Sequence, residues 1–593
     1  MRMLAFFFTI STVALLNSIV FAQKQPPAWI ATSDKYAHLL ISIEMKHRPE
    51  TGSNQGLSEY DEKVSQPTLA DEDQERHETE SALQELKAAL QEKQSDEVKQ
   101  DLEIMIRRTE LRFREQDYDR AHLVPFLNPS QEVFSGIRIL LDEQTPSARR
   151  PAAVTRIREY AGLENGYRPL TEILKERVTE QMAKPGVTYP AKSEIETEMA
   201  RNSNYIDGIA KLMRKYNLTG WEEPYEKLKT QLADYDAWTR VNVLPKARTD
   251  FRLPAEEYAL NLEGYGIDLL PDQLAAQAHQ AFAKIQVQMQ SVAAKVAQQH
   301  NLPSSDYREV IRELKKQQIV GDAILPFFEN RLKQIEQIIV EHQLVSLPDR
   351  PAKIRIASAA ETAQQPAPHM VPPPFLHNTG QRGEFVLPLN IPPGPGQKTA
   401  DQYDDFAYDA ASWTLTAHEA RPGHELQFDS MLEHGMSLAR VRYAFNSTNV
   451  EGWGLYSEYI MLPYMPLEGQ LISLQLQLLR AARAFLDPEL QSGKVQPADA
   501  YRVLEQDVVL SHAFAEEEVE RFTYRMPGQA GSYFYGYTKL LAIRGDADKA
   551  LNGKLDVKAF HDFILAQGLL PPDLIRQAVM KNFVPAQQAS LAH

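Results

Sequence analysis

The sequence predicts a mainly α-helical protein with one small β element. Three observations carry this. Apolar residues recur at helical spacing through most of 68–343. The same texture returns from 401 to the end. Only the proline-rich stretch 347–398 between them holds short runs with strand character.

Length and composition frame the elements. With 593 residues, of which 43% are hydrophobic, the chain can bury a large core as one big unit or as two to three domains. It reads as a leader at 1–22, an N-terminal helical region at 23–345 and a second helical region at 346–593 that carries the chemistry. The formal net charge of -16, from 64 basic and 80 acidic residues, argues against a nucleic-acid partner, which would select a basic stripe. There are no cysteines. Disulfides, iron–sulfur clusters, thiol nucleophiles and Cys-ligated zinc are excluded, so a metal here must be held by His, Asp and Glu.

The leader begins with Arg2, continues through the apolar run Leu4 to Val20, and offers small residues around Val20-Phe21-Ala22. That is the pattern of an export signal, with Gln23 as the expected mature N-terminus and no stable membrane insertion after cleavage. A retained N-terminal anchor is the competing reading. A lipid anchor would need a Cys. Export without cysteines suits a bacterial periplasm.

Residues 23–60 are mixed. From 68 to 120 the chain is densely charged, with Leu83, Leu86 and Leu90 on one face, then Leu102, Ile106 and Phe113 after a polar break at Gln94-Ser95-Asp96. This predicts a helical hairpin packed on a lobe. Further helical patterns cover 170–184, 190–215, 222–242, 271–300 and 303–343. In the proline-rich stretch, Lys353 to Ile356 and Glu384 to Leu387 read as strands. Prolines confine such strands to edges. An edge can pair with an extended peptide, or can simply belong to a connecting loop with a hairpin.

The chemistry-bearing segment is His418-Glu419-Ala420-Arg421-Pro422-Gly423-His424. A helical metal site for hydrolysis places two His at i and i+4, with a Glu beside the first as general base. Here the second His is at i+6, which on an unbroken helix points about 240° away. The insertion contains Pro-Gly. Pro interrupts helical hydrogen bonding and Gly tolerates unusual backbone angles. A break at 420–423 is therefore expected to bring His424 onto the face of His418. The bland alternative is a plain helix end. Glu451, in Val450-Glu451-Gly452-Trp453-Gly454-Leu455-Tyr456, follows at the start of another helical pattern and supplies a third ligand of the type used at open zinc positions. Its alternative is a first-turn acid facing the helix dipole. Glu458 reads as a solvated surface charge, with hydrogen bonding to a ligating His as the other possibility.

These residues resemble the family catalogued as domain of unknown function 885, marked by His-Glu-x-x-Pro-Gly-His and then Glu-Gly-Trp-(small)-(apolar)-Tyr. Arg480 to Arg483 leading to Asp487, and Met526 to Ala530 with Tyr533 downstream, extend the resemblance. It is sharp from about 375 to 545. The family is similar in plan to angiotensin-converting enzyme and thimet-type oligopeptidases. The resemblance implies a bilobal helical metallopeptidase-like fold with a deep cleft. It also implies one zinc ion on His418, His424 and Glu451, Glu419 as base, Tyr533 over the reacting carbonyl, and short peptides as substrates. One departure stands out: family members carry a His shortly after the residue matching Asp487, where this chain has Gln491. Tyr535 and Tyr537 lie near Tyr533 in sequence, and Arg525, Arg544 and His512 are candidates for a peptide carboxylate. Two other functions stay open: hydrolysis of a non-peptide amide or ester, and zinc binding without catalysis.

Overall fold

Helices account for 70% of the computed structural model and strands for 3%, which places the fold in the mainly-α class. The structure describes residues 27–388 and 403–591; the leader and the Pro392 to Gly396 run lie outside these. No helix among the described residues is long and apolar enough to cross a membrane.

The predicted hairpin is present as helices Leu69–Leu90 and Asp96–His122. Each begins where a hydroxyl can satisfy an orphan backbone amide: Thr68 accepts from Asp71 and Ser95 from Val98. Leu83, Leu86, Leu102 and Met105 are buried on the facing sides. Leu86, Leu102 and Met105 share a core with Ala37, Leu40 and Ile41 of a first helix, Ala28–His47, and with Ala439 much later in the chain. Asp101 fastens this contact. Fully buried, it accepts from Ser33 (2.6 Å), Ser437 (2.6 Å) and the Arg440 guanidinium (2.9 Å), so three distant segments meet on one carboxylate.

Leu170–Met182, Lys192–Lys215, Glu222–Asn242 and Pro271–His300 follow the expected helical patterns. The pattern at 303–343 resolves into two helices, Tyr307–Lys315 and Ile324–Glu341, parted by a turn through Gly321. The hydrophobic core runs across residue 345. Pro271–His300 packs along Leu467–Gln491, which is buried on nearly all its faces, and Phe328 meets Phe385 edge-on at 5.9 Å.

The β element has three strands: β1 (Lys353–Ile356), β2 (His369–Val371) and β3 (Glu384–Leu387), in the order β1-β3-β2. β1 pairs parallel to β3, and β2 antiparallel to it. Both expected strands exist, but β3 is central rather than an edge. The three-residue β2 covers its second side, and Phe385, Val386 and Leu387 are completely buried. Prolines follow β2 at 372–374, at the margin, where a missing amide costs nothing.

Between the helices before residue 270 and the segment Tyr524 to Pro527 lies a cavity of about 770 Å³. A second, of about 430 Å³, adjoins it along Phe126, Leu127, Glu132 and Glu194 and reaches Arg521.

Candidate metal centre

The Asp409–Glu419 helix carries His418 in its last turn and stops at Ala420 (φ -100°, ψ -104°). The chain then makes a short break with a cis Arg421-Pro422 peptide, and a new helix, His424–His434, begins directly at His424. The break anticipated at 420–423 is therefore where the two histidines are rephased. Gly423 is required there by space. A Cβ on it would lie 1.8 Å from the His418 carbonyl oxygen. Trp453 donates its indole N–H to the Pro422 carbonyl (2.9 Å), holding the break from the neighbouring helix. Arg421, buried, ties it to Glu425 (2.7 Å) and Glu336 (2.8 Å).

That neighbouring helix, Ser447–Met461, is capped by Asn446, which accepts from the Asn449 amide (2.8 Å), and it presents Glu451. Both imidazoles press against its backbone at Gly454, where a Cβ would lie 2.6 Å from His418 and 2.9 Å from His424. One ligand atom each from His418, His424 and Glu451 falls within 4.8 Å of the others. Glu451 Oε2 is 3.6 Å from His418 Nε2 and 3.4 Å from His424 Nε2, and the two rings stand at 83°. Ligands about 2.05 Å from one tetrahedral ion are roughly 3.3 Å apart, so these spacings suit a single shared cation. Glu451 Oε2 is buried without a hydrogen-bond partner, and an acceptor left bare in that way fits a cation nearby. The donor set, two imidazoles and a carboxylate, fits zinc.

Glu458 corrects the surface reading. It is fully buried and accepts from His418 Nδ1 (2.8 Å) and Thr414 Oγ1 (2.7 Å). Two helical turns separate it from Glu451, so both carboxylates share a face, one on each side of His418. Fixing Nδ1–H leaves Nε2 free to coordinate. Electrostatics follow from this crowding. Burial opposes the His418 charge, yet Glu451 and Glu458 raise its pKa to about 9. Burial would raise Glu451, but its contacts with the two histidines hold it well below the usual carboxylate range. Burial raises Glu419, against a partial pull from His418 and His424.

Tyr533 lies buried at the start of the Gly531–Ala550 helix, which crosses Ser447–Met461 where Gly452 meets Gly536. Burial and the Glu451 charge raise its phenol, and the guanidiniums of Arg483 (4.4 Å from the ring centroid) and Arg480 (5.8 Å) stand over its ring. Tyr535 instead bonds Asp268, and Tyr537 packs near Tyr459. The three suggested carboxylate binders are engaged elsewhere. Arg525 pairs with Glu198 (3.2 Å), Arg544 donates to Tyr456 (3.1 Å), and His512 meets Glu505 (2.7 Å). The cations next to Tyr533 are Arg480, Arg483 and Arg521, to which no role could be assigned from spacing alone.

Gln491 is a clip. It donates to the Phe522 carbonyl (2.7 Å) and accepts from the Leu253 amide (2.9 Å). Asp487, its carboxyl raised to about 7 by burial, accepts from Tyr258 (2.9 Å) and from the Gly528 amide (2.9 Å) and so shapes the Met526 to Ala530 loop.

Fold and site together define a class: a mainly helical protein with a two-histidine, one-glutamate cluster assembled across a Pro-Gly break. The chain belongs to the bacterial family of proteins of unknown function designated DUF885, whose profile matches residues 49–579. Its fold is similar to that of a candidate lipoprotein of unknown function from Shewanella oneidensis. The two are 17% identical over 93% of this chain and 100% of that one, with a TM-score of 0.67. It is also similar to a candidate lipoprotein from Colwellia psychrerythraea, 19% identical over 94% of this chain and 99% of that one, with a TM-score of 0.74. At these identities the likeness is one of fold. No curated protein matches the chain.

Proposed function

We propose that this protein is an exported zinc peptidase acting on short peptides. One observation carries the reading: a buried carboxylate, Glu419, follows His418 directly and feels the charges of His418, His424 and Glu451, in a cluster that already has its orienting acid in Glu458. A site that only stored or displayed a metal has no use for that extra buried carboxylate. His418, His424 and Glu451 would hold the ion. Bound zinc supplies Lewis acidity, polarising a carbonyl and acidifying water. Glu419, made more basic by burial, is suited as a carboxylate to take a proton at its oxygen and return it to the leaving amine nitrogen. The Tyr533 hydroxyl is the candidate donor to the carbonyl oxygen as charge develops there. The smaller cavity, about 430 Å³ and lined by Arg521 rather than by the cluster itself, has room for a short chain but not for a folded protein.

Export rests on Arg2 and the apolar run to Val20. With no Cys to carry a lipid, a free periplasmic protein is the form expected after cleavage.

The test is metal analysis of purified protein, together with a peptide-library digest with and without chelator. Zinc near one equivalent and chelator-sensitive cleavage are expected. Glu419→Gln should keep the metal and lower turnover by at least about 10²-fold. Unchanged turnover in that variant would remove Glu419 from the mechanism.

A further inference from the structure

Three guanidiniums lie in the interior beside Tyr533, and the metal-centred chemistry above leaves them without a role. Arg480, Arg483 and Arg521 are 7%, 4% and 8% exposed. Arg483 is paired side-on, its Nε and Nη2 donating to the two oxygens of Glu518 at 2.6 and 2.5 Å. Arg480 is not. Its nearest carboxylate, Glu458, is 3.6 Å away, it reaches only a carbonyl of its own helix at 3.4 Å, and its buried Nε has no hydrogen-bond partner. Arg521 donates to Gln529 (3.1 Å), stands 3.6 Å from both Glu517 and Glu518, and also leaves Nε without a hydrogen-bond partner.

The nearby carboxylates are engaged by other groups: Glu518 by Arg483, Glu458 by His418 and Thr414, and Glu517 by Tyr403 (3.0 Å), so Nε of both Arg480 and Arg521 stays without a partner. A buried guanidinium with unused donors is costly unless a partner completes it. Arg521 also lines the 430 Å³ cavity, so a ligand in that cavity can reach it.

We propose that Arg480 and Arg521 form a carboxylate-binding subsite next to Tyr533, so that preferred substrates are peptides whose free C-terminal carboxylate lies close to the bond cut. A planar guanidinium fork matches a carboxylate in shape and charge. The hydrolytic half of this statement rests on the peptidase reading; the binding half does not.

The experiment separates the two. Full-length zinc-loaded Glu419→Gln protein is titrated calorimetrically with N-acetyl-alanyl-phenylalanine and with its C-terminal amide. The acid should bind about 10- to 100-fold more tightly than the amide. Arg480→Gln and Arg521→Gln, checked for native circular dichroism, should each erase most of that preference while leaving the amide unchanged. Arg480→Lys and Arg521→Lys should retain part of it. Equal binding of acid and amide, no binding of either, or a preference that survives both Gln variants would overturn the subsite. The acid–amide comparison needs no arginine variant, so a misfolded variant does not shield the proposal. If the preference holds but the Glu419-containing protein cleaves no library peptide, the subsite stands and the peptidase reading falls. If free and amidated peptides are cleaved alike, the reverse is true.

Discussion

Glu458 shows how much a single side chain depends on its surroundings. In sequence it is one acid on an ordinary helical pattern, and nothing in its spacing distinguishes a surface charge from a group that orients a metal ligand. In the fold it is wholly buried and bonded to His418 Nδ1 and Thr414. Removing it should loosen the imidazole rather than the protein. Glu458→Gln, which keeps the shape and loses the charge, is expected to lower zinc affinity about 10- to 100-fold, measured by competition with a chromogenic chelator. Gly454 invites the opposite kind of test. Gly454→Ala places a methyl 2.6 Å from His418 and should abolish metal binding, while circular dichroism still reports a helical protein. The three clustered residues were legible because their residue types and spacing are rare together. Glu458, Arg480 and Arg521 were not, because a buried charge is announced by what packs on it.

The helix elements were legible wherever apolar spacing was strong, as in the 68–120 hairpin. The Ala28–His47 helix was lost in a mixed stretch because its inner face uses Ser33 and Ala37 beside Ile30, Leu40 and Ile41, which dilutes the apolar signal. β2 has three residues, too few to alternate, and it is what makes β3 central. The break at 420–423 is the element on which the site turns. Trp453→Phe removes one indole hydrogen bond to that break and should cost about 1 kcal/mol in stability. Zinc should then dissociate faster while the helix content seen by circular dichroism stays constant. An unchanged off-rate would mean that Gly423 and Arg421 fix the break unaided.

For the whole molecule, long-range ties matter more than local propensity. Asp101→Ala leaves the Arg440 guanidinium buried and unpaired, a change that typically costs about 3–5 kcal/mol. The melting temperature should drop clearly, with zinc stoichiometry intact in the protein that remains folded. Acid–base behaviour is also a property of the whole chain. Burial raises Glu132, Glu159, Glu194, Glu257 and Asp487 to about 7. A carboxyl whose folded pKa is raised stabilises the fold below its unfolded value and loses that contribution as pH climbs through about 7. Glu361, lowered to about 2 mainly by Arg355 and Arg138 against burial, works the other way and loses its contribution as pH falls toward 2. Zinc-free protein should therefore melt highest near about pH 4.5 and at steadily lower temperature from there toward pH 8, tracked by scanning calorimetry. A melting temperature that rises steadily to pH 8 would contradict these carboxyl environments.

By itself the sequence determined the helical class, two of the three strands, at 353–356 and 384–387, and the short list His418, Glu419, His424 and Glu451. Each of these is written in local spacing, which a chain carries wherever it folds. Tertiary structure alone decided that His418, His424 and Glu451 meet, that Glu458 stands behind His418, and that two arginines with spare hydrogen bonds lie near Tyr533. The physical reason is distance along the chain. Residues on different helices are placed by packing between those helices, and burial, which sets the cost of a charge, exists only once that packing is complete.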